Sequence, residues 1–393
     1  MPFLPIILQY KSIIIFYLFI IAFLLIKRHK LDIQAKVIIL YRTKIGLKWM
    51  DKYSQHFREW VILLGYTGVG VGFVGLVFIS YLLIKNLFDY FTQETIVAGA
   101  SIVYPGMRVP GLGVLTFWDW IIALFLIAIV HEFSHGIVAR AHHIEVKNTG
   151  LVFFGPILGA FVEPDEVKLR KQQDVVQYSV LAAGSFSNIV LAIVALLTIV
   201  VIITPLQTAL VTETGFTFDK YVNEDLPFAR AGIKPGTIIT GIDGMKTKTF
   251  QEFQQELLTK KPSQKTIIET MQGSYNITLA SNPDAPQRPF LGINEIRNEV
   301  EVKPEYRTKL GATAYDLIQS FSRFLRWLFL LSFGIGVFNL LPLPIVDGGR
   351  MAQVFLYKLR GAEKGEQSYR RVSLFFLLIL FLNLFLPLLL KIL

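Results

Sequence analysis

The chain has 393 residues, 53% of them hydrophobic and only 17% charged, with a formal net charge of +10. So much apolar material excludes a wholly soluble protein, and the absence of cysteine excludes disulfides and thiolate metal ligands. In a chain this apolar, the basic residues point to cytoplasmic loops and anionic lipid, not to nucleic acid.

Six apolar runs, roughly 5–26, 60–88, 118–141, 178–205, 322–345 and 371–392, approach or exceed the ~20 residues that a helix needs to cross a bilayer. The fold class expected is therefore a polytopic α-helical membrane protein of about six transmembrane helices. The first run has its basic cluster "KRHK" after it and no small-residue cleavage site, so it reads as a retained anchor and not a signal peptide. Segments 27–59, 142–177 and 346–371 are rich in Lys and Arg. With six spans they share one side, which the positive-inside rule makes cytoplasmic. Both termini and segment 206–320 then lie outside.

In the second span, "GYTGVGVGFVG" places glycines where close helix packing needs them. Segments 97–115 and 148–163 are too short and too broken by Gly and Pro to be membrane helices. They read as amphipathic surface loops or as re-entrant hairpins, the latter tolerated only where protein or a water-filled cavity satisfies the backbone.

The third span ends in "VHEFSHGIVARAHH". His131 and His135 stand four apart and so share one helix face. That spacing lets two imidazoles hold one Zn²⁺, with Glu132 beside it as general base. An ionisable residue at a membrane-helix centre costs roughly 2.5–3.5 kcal/mol on insertion scales, so such a cluster implies function. His142 and His143 lie beyond it and read as loop residues.

Segment 206–320 reads as a folded insert. "KPG" is a turn, "TIITGI" a strand, and "DG" a hairpin turn. Thr249 caps a helix to about Leu258, with Glu252 at the capping-box position. "TIIETMQGSYNITLA" forms two strands around Gln272 and Gly273, which completes a small β-rich domain.

A catalytic zinc site takes three protein ligands and leaves a position open. Asp347, in "FNLLPLPIVDGGRM", lies at the cytoplasmic end of the fifth span, the depth at which the third span places its histidines. Pro342 and Pro344 break the helix there, and Gly348 and Gly349 permit a tight turn that aims the acid sideways. Glu163 and Glu166 fall outside the spans and are weaker third ligands.

"HEFSH", then "AGSFSN" (Ala183 to Asn188), then "NLLPLPIVDGG" (Asn339 to Gly349) resemble the site-2 protease family of intramembrane zinc metalloproteases. "ARAGIKPGTIITGIDG" and "FLGI" (Phe290 to Ile293) resemble parts of a PDZ domain, over about 212–295. The resemblance covers about 118–345. It implies that His131, His135 and Asp347 bind zinc, that Glu132 activates water, and that Asn188 holds substrate or the developing oxyanion, with Asn339 a weaker candidate. Where the family often has proline after the glycine of its Gly-x-x-x-Asn pattern, this chain has Ser185.

The implied organisation is an anchor and basic loop (1–59), a catalytic membrane region (60–205), an outer insert with a PDZ-like domain (206–320), and a membrane region with the aspartate motif (321–393). The implied function is cleavage of the membrane segments of single-pass proteins within the bilayer, in a cell membrane, with segments 97–115 and 148–163 as β-hairpins that pair with an unwound substrate. The PDZ-like insert would bind peptide C-termini or exclude bulky ectodomains. The alternative is a polytopic transporter or receptor with an outer binding domain, which leaves the spacing of His131, Glu132 and His135 unexplained.

Overall fold

The computed structural model describes residues 11–34, 38–92, 102–109, 112–155, 157–283 and 285–390. The chain divides into two compact units, Met1–Ile199 with Arg323–Leu393, and Val200–Ser322.

The first unit opens with α1 (Lys11–Lys27), strands β1 (Leu31–Gln34) and β2 (Ile38–Thr43), the short helix α2 (Leu47–His56) and the long helix α3 (Arg58–Thr92). Two-residue strands β3 (Arg108–Val109) and β4 (Gly113–Val114) precede α4 (Phe117–Ala141). The Thr116 hydroxyl caps α4 by accepting from Asp119 N at 3.1 Å, and Asp119 sits in its first turn, where an acid suits the helix dipole. Next come β5 (Val146–Phe154), β6 (Ile157–Pro164), α5 (Glu166–Arg170) and α6 (Asp174–Thr198).

Strands β1, β2, β5 and β6 form one antiparallel sheet in the order β1-β2-β5-β6, so β6 is an edge strand. Arg42 of β2 ties the sheet together by pairing with Asp32 of β1 and Glu163 of β6. Gly150 of β5 has no room for a side chain, since a Cβ there would lie 2.2 Å from the Tyr41 carbonyl oxygen. Segment 148–163, read from sequence as a loop or a hairpin, is thus the β5–β6 hairpin. Of segment 97–115, residues 97–101, 110 and 111 lie outside the described residues, and β3 pairs with β4 in the remainder. The basic stretch 27–59 is not a plain loop: it holds β1, β2 and α2.

The glycines of α3 behave as close-packing residues. A Cβ on Gly65 would meet the Ser179 hydroxyl at 2.3 Å, on Gly68 the Phe186 ring at 3.3 Å, and on Gly72 the Met351 methyl at 2.9 Å. Gly70 lies off that stripe and meets nothing.

The second unit begins in a π-helical turn (Ile199–Ile203) and α7 (Thr204–Leu210), followed by β7 (Val211–Tyr221), α8 (Pro227–Arg230), β8 (Ile239–Ile242) and β9 (Met245–Lys246). It continues with α9 (Phe250–Leu258), β10 (Lys265–Thr270), β11 (Gly273–Thr278), β12 (Ala280–Asn282), β13 (Ala285–Phe290) and β14 (Ile293–Val302). The main sheet runs β11-β10-β8-β7-β14, with β9 paired to β8. Its core gathers Phe216, Phe218, Phe228, Phe253, Ile239 and Ile268, all fully buried. Asp243 and Gly244 turn β8 into β9 with φ of 49° and 83°, the left-handed pair that a two-residue hairpin requires. Thr249 caps α9 through Glu252 N at 3.1 Å.

The unit boundary falls within α10 (Lys309–Phe338), which is followed by α11 (Asp347–Arg360) and α12 (Ala362–Leu390). Among the described residues, six helices are long and apolar enough to cross a membrane: Lys11–Lys30, Arg58–Thr92, Phe117–Ala141, Asp174–Leu210, Leu310–Phe338 and Ala362–Pro387. The fifth ends at Phe338, short of the expected residue 345, because Pro342 and Pro344 cannot supply helical N–H groups.

Candidate metal centre

The side chains of His131, His135 and Asp347 converge. Their ligand atoms all lie within 4.8 Å of one another. His131 Nε2 is 3.2 Å from His135 Nε2 and 3.2 Å from Asp347 Oδ2, and His135 Nε2 is 3.4 Å from the same oxygen. A tetrahedral zinc with bonds of about 2.0–2.1 Å keeps its ligand atoms about 3.3 Å apart. The three observed separations match that edge length, so the residues present fit the ion.

Three elements build the cluster. Helix α4 contributes both imidazoles from one face. Helix α6 passes beside them at Gly184, where a Cβ would come 2.4 Å from His135 Nε2 and 2.6 Å from His131 Nε2. Any larger residue would occupy the space between the rings. Helix α11 starts at Asp347, so the acid projects from a first helical turn and not from a loop. Gly348 and Gly349 do not supply the turn expected of them. They allow contact: a Cβ would lie 2.1 Å from the Leu340 carbonyl oxygen at Gly348 and 1.7 Å from that of Leu343 at Gly349. Gly348 N donates to the Asn339 carbonyl at 2.8 Å, which folds the proline segment back and sets where α11 begins.

The ring orientations are held from behind. His135 Nδ1 is 2.7 Å from the Val180 carbonyl, to which it donates. In the neutral ring this leaves the Nε2 lone pair facing the cluster, as a metal ligand requires. Asn188 is fully buried, and its amide lies 3.1 Å from His131 Nδ1. Its Oδ1 has no hydrogen-bond partner among the described residues. The two ends of an amide are interchangeable in placement, and with Oδ1 turned toward the ring it accepts from Nδ1–H and frees Nε2 for a metal. Asn188, read from sequence as a contact to substrate or oxyanion, thus touches His131. The Ser185 hydroxyl, buried, donates to Asp347 Oδ2 at 3.3 Å.

Glu132 Oε2 accepts from Val162 N at 3.0 Å, on the edge strand β6. Glu132 also lines a groove of about 440 Å³ between α4 and the sheet, walled by Phe23, Tyr41, Phe125, Phe133 and Phe161. Ser185, the Val180 carbonyl and the Val162 amide were not singled out from sequence. Only the departure at Ser185 left a trace there; a backbone group leaves none.

Two imidazoles and a carboxylate gathered beside a glutamate, in a chain of apolar helices, define a membrane metallohydrolase. The chain belongs to peptidase family M50, whose profile matches residues 120–381. It is an integral, multi-pass membrane protein and an intramembrane zinc metalloprotease. It is similar to the Methanocaldococcus jannaschii protein MJ0971, at 25% identity over 320 residues, or 80% of this chain and 77% of that one. A Clostridium perfringens protein named "Putative zinc metalloprotease CPE1693" is 24% identical over 294 residues, 59% of this chain and 84% of its own length. Protease RseP of Photorhabdus luminescens matches locally, at 36% over 66 residues, 16% of this chain and 29% of its own. Among solved structures, the PDZ domain of an SdrC-like protein from Listeria monocytogenes is 28% identical with a TM-score of 0.19, covering 21% of this chain and 88% of that domain.

Proposed function

We propose that His131, His135 and Asp347 hold the zinc, that Glu132 is the general base, and that the substrate is a membrane segment of a single-pass protein. The convergence of three ligand atoms at tetrahedral spacing is the observation that carries this reading. Zinc bound there would polarise the scissile carbonyl and lower the pKa of its water. Glu132 takes a proton from the attacking water and delivers it to the leaving amine. Before that it releases the Val162 amide, its partner in the free protein. Val180 and Asn188 keep the two rings aimed, and Ser185 steadies the carboxylate. A helical substrate hides its carbonyls, so it must unwind. The edge of β6, once Glu132 has released it, then offers a strand to add to, and segment 148–163, with the described part of segment 97–115, serves as a re-entrant element.

The basic segments 27–59, 142–177 and 346–371 set the active site near the cytoplasmic side and the β-rich insert outside. There the insert, which resembles a PDZ domain in sequence, reads peptide C-termini or excludes bulky ectodomains. The test is incubation of the purified full-length protein with a single-pass membrane substrate, wild type against Glu132→Gln and His131→Ala, with zinc measured in each. Wild type should cleave, Glu132→Gln should keep zinc but not cleave, and His131→Ala should lose both. Cleavage by Glu132→Gln at the wild-type rate would remove the base assignment.

A further inference from the structure

Helix α2 is clamped to the helix that bears the histidines, yet one flank of it is covered by nothing among the described residues of its unit. Its inner face is Met50 and Ser54, both buried. A Cβ on Gly136 would lie 2.6 Å from the Met50 sulfur, and one on Gly46 would lie 2.3 Å from the Phe133 ring. Asp51 pairs with Arg140 at 3.0 Å, and Arg58 donates to the Ala141 carbonyl at 3.0 Å, the last residue of α4. These contacts hold α2 against the cytoplasmic-end turns of α4, within a residue of Glu132 and of His135.

The open flank is aromatic. Trp49 and Tyr53 of α2 and Phe57 at its end follow one another at helical spacing, with Ile45 just before the helix and Trp60 in the first turn of α3; all are exposed, Trp49 and Trp60 to 67% each. The Tyr53 and Phe57 rings stack at 6.4 Å. Beside this stripe Lys44, Lys48 and Lys52 recur every four residues, all exposed, with no carboxylate partner among the described residues. The helix's one acid does not offset them, because Arg140 already neutralises Asp51. Three uncompensated cations next to a stripe of indole and phenol rings suit the boundary between hydrocarbon and headgroups. The position agrees, since α2 lies where α3 begins and α4 ends, at the termini of two membrane-crossing helices.

We propose that α2 is a docking surface for anionic phospholipid headgroups, and that lipid bound there steadies the end of α4 that carries His131, Glu132 and His135. The lysines meet the phosphates while the aromatic stripe sinks to the level of the upper acyl chains. Each lysine near such a surface favours contact by about a factor of five. This inference does not depend on zinc binding.

The test places the full-length protein in single-copy nanodiscs of phosphatidylcholine, with or without phosphatidylglycerol. Amide exchange is followed over 44–57 and 131–141, in wild type and in the triple variant Lys44→Gln, Lys48→Gln, Lys52→Gln. Thermal midpoints in phosphatidylcholine, equal for the two proteins, exclude a folding defect. Phosphatidylglycerol should slow exchange in both segments several-fold in the wild type, and added salt should reverse this. The triple variant should not respond. Equal exchange in the two lipids, or an equal response in the variant, overturns the proposal. Protection that needs two copies per nanodisc in place of anionic lipid assigns the face to a second copy of the chain and overturns it equally.

Discussion

The two units of this protein use burial in opposite ways. In the insert, the fully buried side chains are mostly aromatic and aliphatic, and Phe216, Phe218, Phe228 and Phe253 fill one core. Apart from Ser322 at the unit boundary, its buried polar residues are threonines on strands, at a helix cap or just after β9. In the membrane unit, His131, Ser185 and Asn188 are buried together around Asp347, each with a named partner. One unit removes apolar area from water to hold a sheet on a helix. The other brings helices close through glycine so that polar groups can converge where water is scarce. Stability and chemistry therefore reside in different residues, and substitutions should separate them.

The largest separation is expected at Glu132. Glu132→Gln should lower cleavage by about 10²–10⁴-fold, the usual yield of a positioned acid–base group, while zinc content and thermal midpoint stay unchanged. A chelator should abolish wild-type cleavage to the same degree, and returned zinc should restore it. The converse case is Phe253→Ala in the insert, expected to destabilise that unit by about 3–5 kcal/mol. Faster amide exchange in β7, β8 and β10 would show it; loss of zinc at the same time would break the distinction between the units.

A smaller effect is expected behind the proposed ligands. Ser185→Ala should weaken zinc binding about tenfold in chelator competition, as the loss of an outer hydrogen bond commonly does. Ser185→Thr, which keeps the hydroxyl, should recover most of it. Unchanged affinity in the alanine variant would reduce Ser185 to packing.

The smallest is a pH effect in the insert. Burial pushes the Asp243 carboxyl up, but the Ile267 amide at 2.7 Å and the Lys260 ammonium at 2.6 Å outweigh it and hold the group below the ordinary range. Its stabilising contribution is complete above the ordinary aspartate value of about 3.9. It is lost as the pH falls through the lower folded-state value. Exchange at Ile267, corrected for the intrinsic rate, should therefore rise on acidification, and Asp243→Asn should flatten that rise.

Much of the architecture was legible in the order of residues. A run of twenty apolar side chains has few alternatives to a membrane helix, and an Asp-Gly pair between strands has few alternatives to a tight hairpin. The glycines of α3 also announced their role, since the stripe of Gly65, Gly68 and Gly72 repeats at helical spacing. The β1–β2 hairpin was not legible. Its strands are short: "LDIQ" pairs with "IILYRT", and "IILYRT" pairs in turn with β5, more than a hundred residues later. The end of the fifth helix was misplaced because apolar character continues through the proline segment after the helix has stopped.

By itself, the sequence determined that this chain lives in a membrane and that one helix presents two imidazoles and a glutamate at metal-binding spacing. Both follow from local periodicity, which a linear chain records. Only the tertiary structure decided that Asp347 joins the two imidazoles, that Ser185 reaches it across 162 residues of chain, and that Asn188 sits behind His131. Those contacts depend on how closely α4, α6 and α11 approach. Gly184 lets α6 approach α4, and Gly348 and Gly349 let α11 start against the Leu340 and Leu343 carbonyls; these missing side chains have no meaning until the neighbouring atoms are in place.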